Sequence, residues 1–219
     1  MATSVLAYKF CSEPVGLMNL AMRRVRGAVM NSQNDPFEME AYDCPDAQRE
    51  VLQGMIDNHC DKWRSISLCL DTSSPVTWAH YADSHKGICL AVRVTASLLI
   101  PARYVEKRQF IDLLTLLDLP DSERKKALLP MMCTKSADWQ YENETRLIFT
   151  VVEPLEGGYS YVAFAEGFQV EQVIMGARCP TSPTAMRNAL DRMGYANVKL
   201  LKADKSPDFF KMTCAPAVL

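Results

Sequence analysis

The 219-residue sequence lacks the short motifs of several large enzyme classes. It has no Gly-x-Gly-x-x-Gly loop and no Walker pattern, which argues against a Rossmann dehydrogenase or a P-loop enzyme, because both hold phosphate in such loops. It also has no Gly-x-Ser-x-Gly nucleophile elbow. The three histidines, at positions 59, 80 and 85, do not have a familiar zinc spacing. Any chemistry must therefore come from another arrangement of side chains.

Long apolar runs and closely paired cysteines are missing as well. No stretch reaches the ~20 apolar residues that cross a bilayer, and the first residues lack the basic region and apolar run of a signal peptide. The eight cysteines are scattered without a Cys-x-x-Cys pair, so we expect neither a structural zinc site nor a disulfide scaffold. These features predict a cytoplasmic protein, or one delivered into the cytosol of a target cell, without a membrane partner.

The composition is that of an ordinary globular domain. Hydrophobic residues make up 48% of the chain and charged residues 23%. The formal net charge of −2 gives no overall attraction to nucleic acid or to an anionic membrane. The length predicts a single domain over residues 1–219.

Short hydrophobic runs bounded by turn residues predict many strands and few helices. This pattern favours an α+β fold over a doubly wound parallel sheet. The predicted strands are 5–10, 28–30, 66–70, 87–94, 100–105, 145–152, 159–165, 170–175, 198–203 and 209–212. The predicted helices are 14–26, 48–63, 77–82, 110–129 with an interruption near Pro120, and 184–193.

Two glutamates stand two residues apart in segment 139–148, Trp-Gln-Tyr-Glu-Asn-Glu-Thr-Arg-Leu-Ile. Side chains alternate along a strand with period two, so Glu142 and Glu144 point to one face if this segment is extended. Two like charges on one face are unfavourable unless a ligand, a cation or catalysis uses them. Aromatic residues at 139 and 141 and the cation Arg146 enclose the pair. We interpret it as the centre of a site; the alternative is a solvated turn before a buried strand.

Two further segments are rich in polar and aromatic side chains. Segment 78–83, Trp-Ala-His-Tyr-Ala-Asp, lies on a predicted helix. Its rings either pack beneath the sheet or form a wall that stacks on a planar ligand. Segment 34–37, Asn-Asp-Pro-Phe, is a turn by local chemistry, because Asn and Asp cap their own backbone and Pro presets φ.

Together these segments resemble a widespread bacterial domain family. Its marks are an N-terminal Tyr-Lys-Tyr/Phe, a Phe-Asn-Asp-Pro-Phe loop, a Trp-Ala/Ser-His-Tyr-Ala helix followed by His-Lys-Gly, and a late Trp-x-Tyr-Glu-x-Glu-Trp-Arg. The similar segments here are 8–10, 34–37, 78–83, 85–87, 139–146 and 173–176, so the resemblance spans nearly the whole chain. Gln33 and Thr145 stand where the family has aromatic residues.

The order of these motifs also resembles that of the ADP-ribosyltransferase superfamily. Tyr8-Lys9 is similar to the first-strand Tyr-Arg pattern, with lysine for arginine. Segment 67–74, followed by the Trp-Ala-His-Tyr-Ala helix and the strand 87–94, is similar to the middle motif, and Glu142-x-Glu144 to the third. This resemblance implies an α+β fold with a split antiparallel β-sheet core and flanking helices, and NAD as a substrate.

The resemblance also implies roles for individual residues. Glu144 would stabilise the oxocarbenium-like state formed when the nicotinamide–ribose bond breaks, and Glu142 would orient the acceptor or help to remove its proton. Lys9 would hold a phosphate or ribose of NAD, and Tyr81 or His80 would contact the nicotinamide end. The other residues implied in NAD binding are Tyr8 and Ser67, and Asn34 and Asp35 as a loop that closes over NAD.

Three functional hypotheses follow. The first is an NAD-dependent ADP-ribosyltransferase of the kind found in bacterial toxins or phage-defence effectors, with a protein or nucleic-acid acceptor and an antitoxin or immunity protein as a further partner. The second is a nucleotide or nucleic-acid hydrolase in which Glu142, Glu144 and Asp35 bind a divalent metal. The third is a non-catalytic module that binds a nucleotide or a peptide.

Overall fold

The computed structural model describes residues 3–151, 155 and 157–218. The described residues form fifteen β-strands and six α-helices. The strands are β1 Ser4–Cys11, β2 Arg24–Arg26, β3 Ala28–Val29, β4 Tyr42–Asp43, β5 Trp63–Cys69, β6 Ile88–Thr95, β7 Leu99–Pro101, β8 Arg103–Val105, β9 Gln109–Phe110, β10 Thr134–Ser136, β11 Glu144–Thr150, β12 Tyr161–Ala163, β13 Phe168–Met175, β14 Lys199–Lys205 and β15 Met212–Pro216. The helices are α1 Glu13–Ala21, α2 Arg49–Lys62, α3 Pro75–Tyr81, α4 Leu113–Leu117, α5 Asp121–Met131 and α6 Pro183–Arg192.

A nine-stranded sheet dominates the fold. Its order is β15-β14-β13-β6-β1-β5-β11-β7, and β3 adds to β5. Neighbouring strands are antiparallel except for β13 and β14, which are parallel. The mainly antiparallel sheet with flanking helices confirms the predicted α+β class.

The sheet is nearly open between β1 and β5. All eight residues of β1 are in register with β6, and seven residues of β11 are in register with β5. Between β1 and β5 the register contains a single pair, Tyr8 opposite Cys69. The backbones therefore separate along the rest of these two strands.

The two faces of the sheet carry separate cores. Alternate residues of β6, such as Ile88 and Leu90, join a core that includes Leu20 of α1 and Met186 of α6. Cys89 points to the other face, which α3 covers. There Trp78 of α3 is fully buried, meets the Phe10 ring edge-on at 4.9 Å between centroids, and donates its indole N–H to the Thr72 carbonyl at 2.8 Å.

Serine and proline begin two of the flanking helices. Ser74 precedes Pro75 of α3 and accepts a hydrogen bond from the Thr77 backbone N–H at 3.2 Å. Ser182 precedes Pro183 of α6 and accepts from the Ala185 N–H at 3.2 Å. Each serine satisfies one of the free N–H groups of a first helical turn, while proline supplies a helical φ.

The predicted helix 14–26 is too long. It ends at Ala21, and Arg23 adopts a positive φ of 52°. The chain then forms β2, which pairs with β12. The guanidinium of Arg24 lies 3.9 Å from the centre of the Tyr161 ring, and that of Arg26 lies 4.6 Å from the Tyr159 ring, so tertiary pairing and stacking outweigh helix propensity here.

The predicted strand 100–105 is two strands. β7 pairs with β11, whereas β8 pairs in parallel with β10, because the chain changes partner at Ala102. The predicted helix 110–129 begins only at Leu113, since Gln109–Phe110 pairs with β4.

Several other boundaries move. Predicted strand 159–165 shortens to β12. Predicted strand 209–212 is wrong, because Phe209 and Phe210 are exposed in a turn and β15 begins at Met212. Strand 145–152 begins at Glu144 and is observed to Thr150; residue 152, its predicted end, lies outside the described residues.

Among the described residues, no helix combines the length and apolar character needed to cross a membrane. The eight cysteines are all free thiols, seven of them buried.

Candidate functional site

A cavity of about 190 Å³ occupies the opening between β1 and β5. Seven of the predicted site residues line it: Tyr8, Lys9, Asn34, Ser67, Tyr81, Glu142 and Glu144. They come from three strands, the loop after β3, α3 and the segment before β11. Residues up to 136 positions apart in sequence, Tyr8 and Glu144, thus share one cavity.

Three neighbouring strands supply the cavity walls. Lys9 lies on β1, Ser67 on β5 and Glu144 on β11, and the sheet order is β1-β5-β11. Ser65 and Cys69 line the cavity with Ser67, because side chains on a strand alternate with period two. The Lys9 ammonium reaches across the opening and donates to the Ser67 carbonyl at 3.2 Å, where the strand backbones no longer pair.

The two glutamates meet for a different reason than strand alternation. Glu142 ends a 3-10 helix, Ala137–Glu142, and does not lie on an extended strand, so that part of the prediction is wrong. Asn143 follows in the left-handed conformation with φ 44° and ψ 51°, and β11 starts at Glu144. This turn directs both carboxylates toward one cation.

That cation is Lys135 of β10. Its ammonium lies 2.6 Å from Oε2 of Glu142 and 3.2 Å from Oε2 of Glu144. Lys135 is 3% exposed and both glutamates are 4% exposed. Charges this deeply buried are tolerated only when they are paired, so the ammonium compensates the repulsion that the sequence alone implied.

A second buried cation fixes Glu144. Arg146, with no exposed surface, donates from Nε to Oε1 of Glu144 at 3.0 Å and from Nη2 to Oε2 at 3.1 Å. Its Nη2 also donates to Glu38 at 3.1 Å, and its Nη1 donates to Glu38 and, at 2.7 Å, to the Met132 carbonyl. The guanidinium is thus shared between two carboxylates and a carbonyl.

The pKa values of the two carboxylates bound to Arg146 shift in opposite directions, because burial and the attraction of the cations balance differently. Burial alone would raise the pKa of Glu144, but the charges of Arg146 and Lys135 outweigh it and hold that pKa below its ordinary value. For Glu38, burial outweighs the attraction of Arg146 and raises the pKa. Burial would lower the pKa of Lys135, but Glu144 and Glu142 raise it. Glu144 and Lys135 are therefore both charged at neutral pH.

Tyr81 joins the carboxylates to the loop after β3. Its hydroxyl donates to Oε1 of Glu142 and accepts from Nδ2 of Asn34 at 2.7 Å. Burial and the Glu142 hydrogen bond raise the pKa of Tyr81, so the phenol is protonated at neutral pH. In the same loop Gln33 donates to Ser65 Oγ and accepts from Ser67 Oγ, both at 3.1 Å. The loop therefore closes one side of the cavity through side-chain bonds to α3 and β5.

Two predicted binding residues do not line this cavity. Asp35 is buried and accepts from the Phe37 backbone N–H at 2.9 Å, which confirms the local turn. Its carboxylate serves that turn because Pro36 and the Glu38–Asp35 backbone bond fold it inward. His80 is exposed outside the cavity, with Nδ1 at 3.0 Å from the Tyr141 hydroxyl. Of the two candidates on α3, only Tyr81 faces the cavity.

Sequence reasoning missed Lys135, Glu38 and Gln33 as parts of the site. Lys135 sits in a three-residue strand without a motif, and its pairing with Glu142 depends on the fold. Glu38 follows the Asn-Asp-Pro-Phe turn directly, so its position in that motif was the one available signal. Gln33 was noted as a departure from an aromatic position, and its bonds to two serines explain a polar residue there.

Metal ligation has little support within residues 3–151, 155 and 157–218, where no group of three or more His, Cys, Asp or Glu side chains could hold a metal ion. The donor set explains this result, because Glu142 and Glu144 are bound to Lys135 and Asp35 lies outside the cavity lining.

No protein-family model matches the sequence, and no match was found among curated proteins or solved structures. The resemblances drawn from the motifs therefore stay predictions, and the function is argued from the site.

Proposed function

We propose that this chain is an NAD-dependent ADP-ribosyltransferase built on a split antiparallel sheet. One observation carries the proposal: the strands bearing Lys9, Ser67 and Glu144 are consecutive neighbours, and the sheet opens between the first two to form a cavity with a carboxylate pair. These strands bear the three motifs whose order suggested the superfamily. The proposal thus rests on the spatial arrangement of those motifs as well as on their order.

In this reaction the protein mainly positions the substrate and supplies charge near the ribose. The bond between ribose C1′ and the nicotinamide nitrogen breaks, and nicotinamide leaves neutral with the bonding electron pair. The positive charge moves to the ribose, where a nearby carboxylate stabilises it. An acceptor O–H or N–H then forms a bond to C1′ and releases its proton to solvent; with water as acceptor the product is ADP-ribose.

The cavity residues suit part of NAD. Tyr8 and Tyr81 present aromatic rings, which pack against a planar nicotinamide. Lys9 uses one of its three N–H donors on Ser67 and retains two for a phosphate or ribose oxygen. The volume is below the ~300–1,000 Å³ of pockets that enclose drug-sized ligands, so we expect the cavity to take the nicotinamide-ribose portion, with the rest at its mouth.

The proposal includes either a protein or a nucleic acid as the acceptor. It also includes a role as a toxin or defence effector, with an antitoxin or immunity protein as a partner. The metal-dependent hydrolase is less favoured, because its carboxylates are neutralised by Lys135 and Arg146 rather than free for a cation. A non-catalytic module would bind NAD in the same cavity without cleaving it.

The test is nicotinamide release from NAD by the purified protein, alone and with cell lysate or RNA. We expect release by the native protein and none by the double variant Glu142→Gln, Glu144→Gln, once circular dichroism shows that the variant is folded. Glu171→Gln is the matched control, because Glu171 lies on β13 in a half-buried pair with Arg93, away from the cavity lining.

Three results would contradict the proposal. NAD binding without nicotinamide release under every condition would indicate the binding module. Chelator-sensitive nucleotide hydrolysis without NAD would indicate the hydrolase. Equal release by the folded double variant would show that the carboxylate pair is not used.

A further inference from the structure

The two glutamates are not equally available to a substrate. A carboxylate offers about four acceptor positions. Glu144 makes three contacts with cationic nitrogens, two from Arg146 and one from Lys135, and its Oε2 takes two of these. Glu142 makes two contacts, with the Tyr81 hydroxyl on Oε1 and Lys135 on Oε2. The Ser67 side chain also hydrogen-bonds Glu144, which brings its polar contacts to four. Each oxygen of Glu142 therefore keeps an acceptor position, whereas the contacts of Glu144 match its full acceptor capacity.

The surrounding charge separates the two residues further. Glu144 lies against a guanidinium and an ammonium, so a positive charge that develops beside it meets two buried cations at close range. Glu142 shares the ammonium but has no contact with the guanidinium; its other partner is the neutral phenol of Tyr81. In a low-dielectric cavity, stabilisation of a cationic sugar therefore favours Glu142.

The two glutamates also differ in the elements that hold them in place. Glu144 is part of a sheet strand, paired opposite Cys69, and its side chain anchors Arg146, which in turn binds Glu38 and the Met132 carbonyl. Glu142 ends the short helix before β11, with Tyr81 fixing the direction of its carboxylate from α3. Glu144 therefore connects separate elements of the fold, whereas Glu142 is oriented by Tyr81 and keeps free acceptor positions.

We propose that Glu142 is the carboxylate that faces ribose C1′ of NAD, and that Glu144 is a structural anion that holds Lys135 and Arg146 in place. This division rests on the proposed function and reverses the roles that the motif resemblance implies. Tyr81 orients Glu142 through its hydroxyl, and the Lys135 ammonium bridges the two carboxylates.

The direct test is Glu142→Gln, which preserves the size of the side chain and an oxygen acceptor for Lys135. We expect kcat for nicotinamide release to fall by about 10²-fold or more, with little change in KM for NAD, because the lost charge acts in the transition state. Thermal unfolding close to that of the native protein would show that the loss is not structural.

Glu144→Gln should show the opposite pattern. It leaves Arg146 and Lys135 with too few buried carboxylates, so we expect the thermal midpoint to fall by about 10 °C. Folded Glu144→Gln should keep kcat within about tenfold of native. A folded Glu144→Gln that is inactive beside an active Glu142→Gln would overturn the division.

Rescue by a small carboxylate decides the matter even if Glu144→Gln does not fold. Glu142→Ala opens space in the cavity lining, so added formate should restore nicotinamide release at least in part, while equal chloride should not. Unchanged kcat in Glu142→Gln, or no difference between formate and chloride, would exclude the proposed role. Both outcomes presuppose NAD turnover by the native protein; if that is absent, the function itself fails.

Discussion

Arg146 and Glu38 are 108 positions apart in the sequence, yet the guanidinium of Arg146 donates two hydrogen bonds to the Glu38 carboxylate. Both side chains are buried. Because Arg146 also binds Glu144, the loop after β3 and strand β11 are connected through one cation. The same loop reaches Glu142 through Asn34 and Tyr81. The geometry of the carboxylate pair and the position of the loop are therefore linked.

Replacing Arg146 by alanine should strongly destabilise the fold. Glu38 and Glu144 would be left buried without their cation, and removing one partner of a buried pair costs about 3–5 kcal/mol. Urea unfolding measures the change. Arg93→Ala is the matched control and should have a much smaller effect, because the side chains of Arg93 and Glu171 remain more than a third exposed, at 38% and 40%. Equal losses in the two variants would contradict the central role of Arg146.

Glu38→Ala should loosen the loop after β3 while Glu40→Ala should not. Glu38 is buried against Arg146, whereas Glu40 is an exposed neighbour on the same loop. We expect faster backbone hydrogen exchange in segment 33–41 of Glu38→Ala, measured by mass spectrometry of peptides. If exchange in that segment is the same in both variants, the Asn34 and Gln33 contacts alone hold the loop.

The stabilising effect of Glu144 should depend on pH in the acidic range. Its pKa is held below its ordinary value, because Arg146 and Lys135 outweigh the effect of burial. Its contribution to stability is therefore complete above the unfolded pKa of about 4.3 and is lost as the pH falls through the lower folded pKa. The free energy of unfolding of the native protein should exceed that of Glu144→Gln at pH 6, and this difference should shrink below about pH 4.

Glu38 shares Arg146 with Glu144, and the charge of Glu144 helps to raise the pKa of Glu38, so Glu38 has to be removed from this comparison. Burial raises its pKa, so the stability it contributes is present below its unfolded pKa and is lost as the pH rises through the folded value. Both proteins should therefore carry Glu38→Gln, so that the pH dependence of their difference comes from Glu144. A difference that grows as the pH falls would contradict the sign derived for Glu144.

Lys9→Met should weaken NAD binding more than it weakens the fold. The ammonium lines the cavity and retains donors after its bond to the Ser67 carbonyl. We expect KM for NAD to rise about tenfold, and Lys9→Arg to recover much of the loss, since it restores the positive charge. Lys211→Met, at an exposed position in the turn before β15, is the control and should leave KM unchanged. An unchanged KM in Lys9→Met would remove Lys9 from the binding site.

The sequence pattern predicted strands and helices well where the hydrophobic periodicity agrees with the local turn and capping residues. The strand around Ala7 and the helix around Trp78 were expected within a residue or two of their observed ends. The prediction of a helix over 14–26 was wrong at its end, because Arg24 and Arg26 pair and stack with a distant strand. Such long-range pairing leaves no periodic pattern in the local sequence. The extended geometry expected at Glu142 failed because Asn143 takes a left-handed turn.

The sequence by itself determined the α+β class and identified most of the polar residues that line the cavity, because alternation, capping residues and unusual charge pairs are local properties. Only the tertiary structure decided what neutralises the glutamates and which of them remains open to a ligand. Lys135, Arg146 and Glu38 come from separate segments. Their charges interact strongly only when the fold excludes water and brings them into contact.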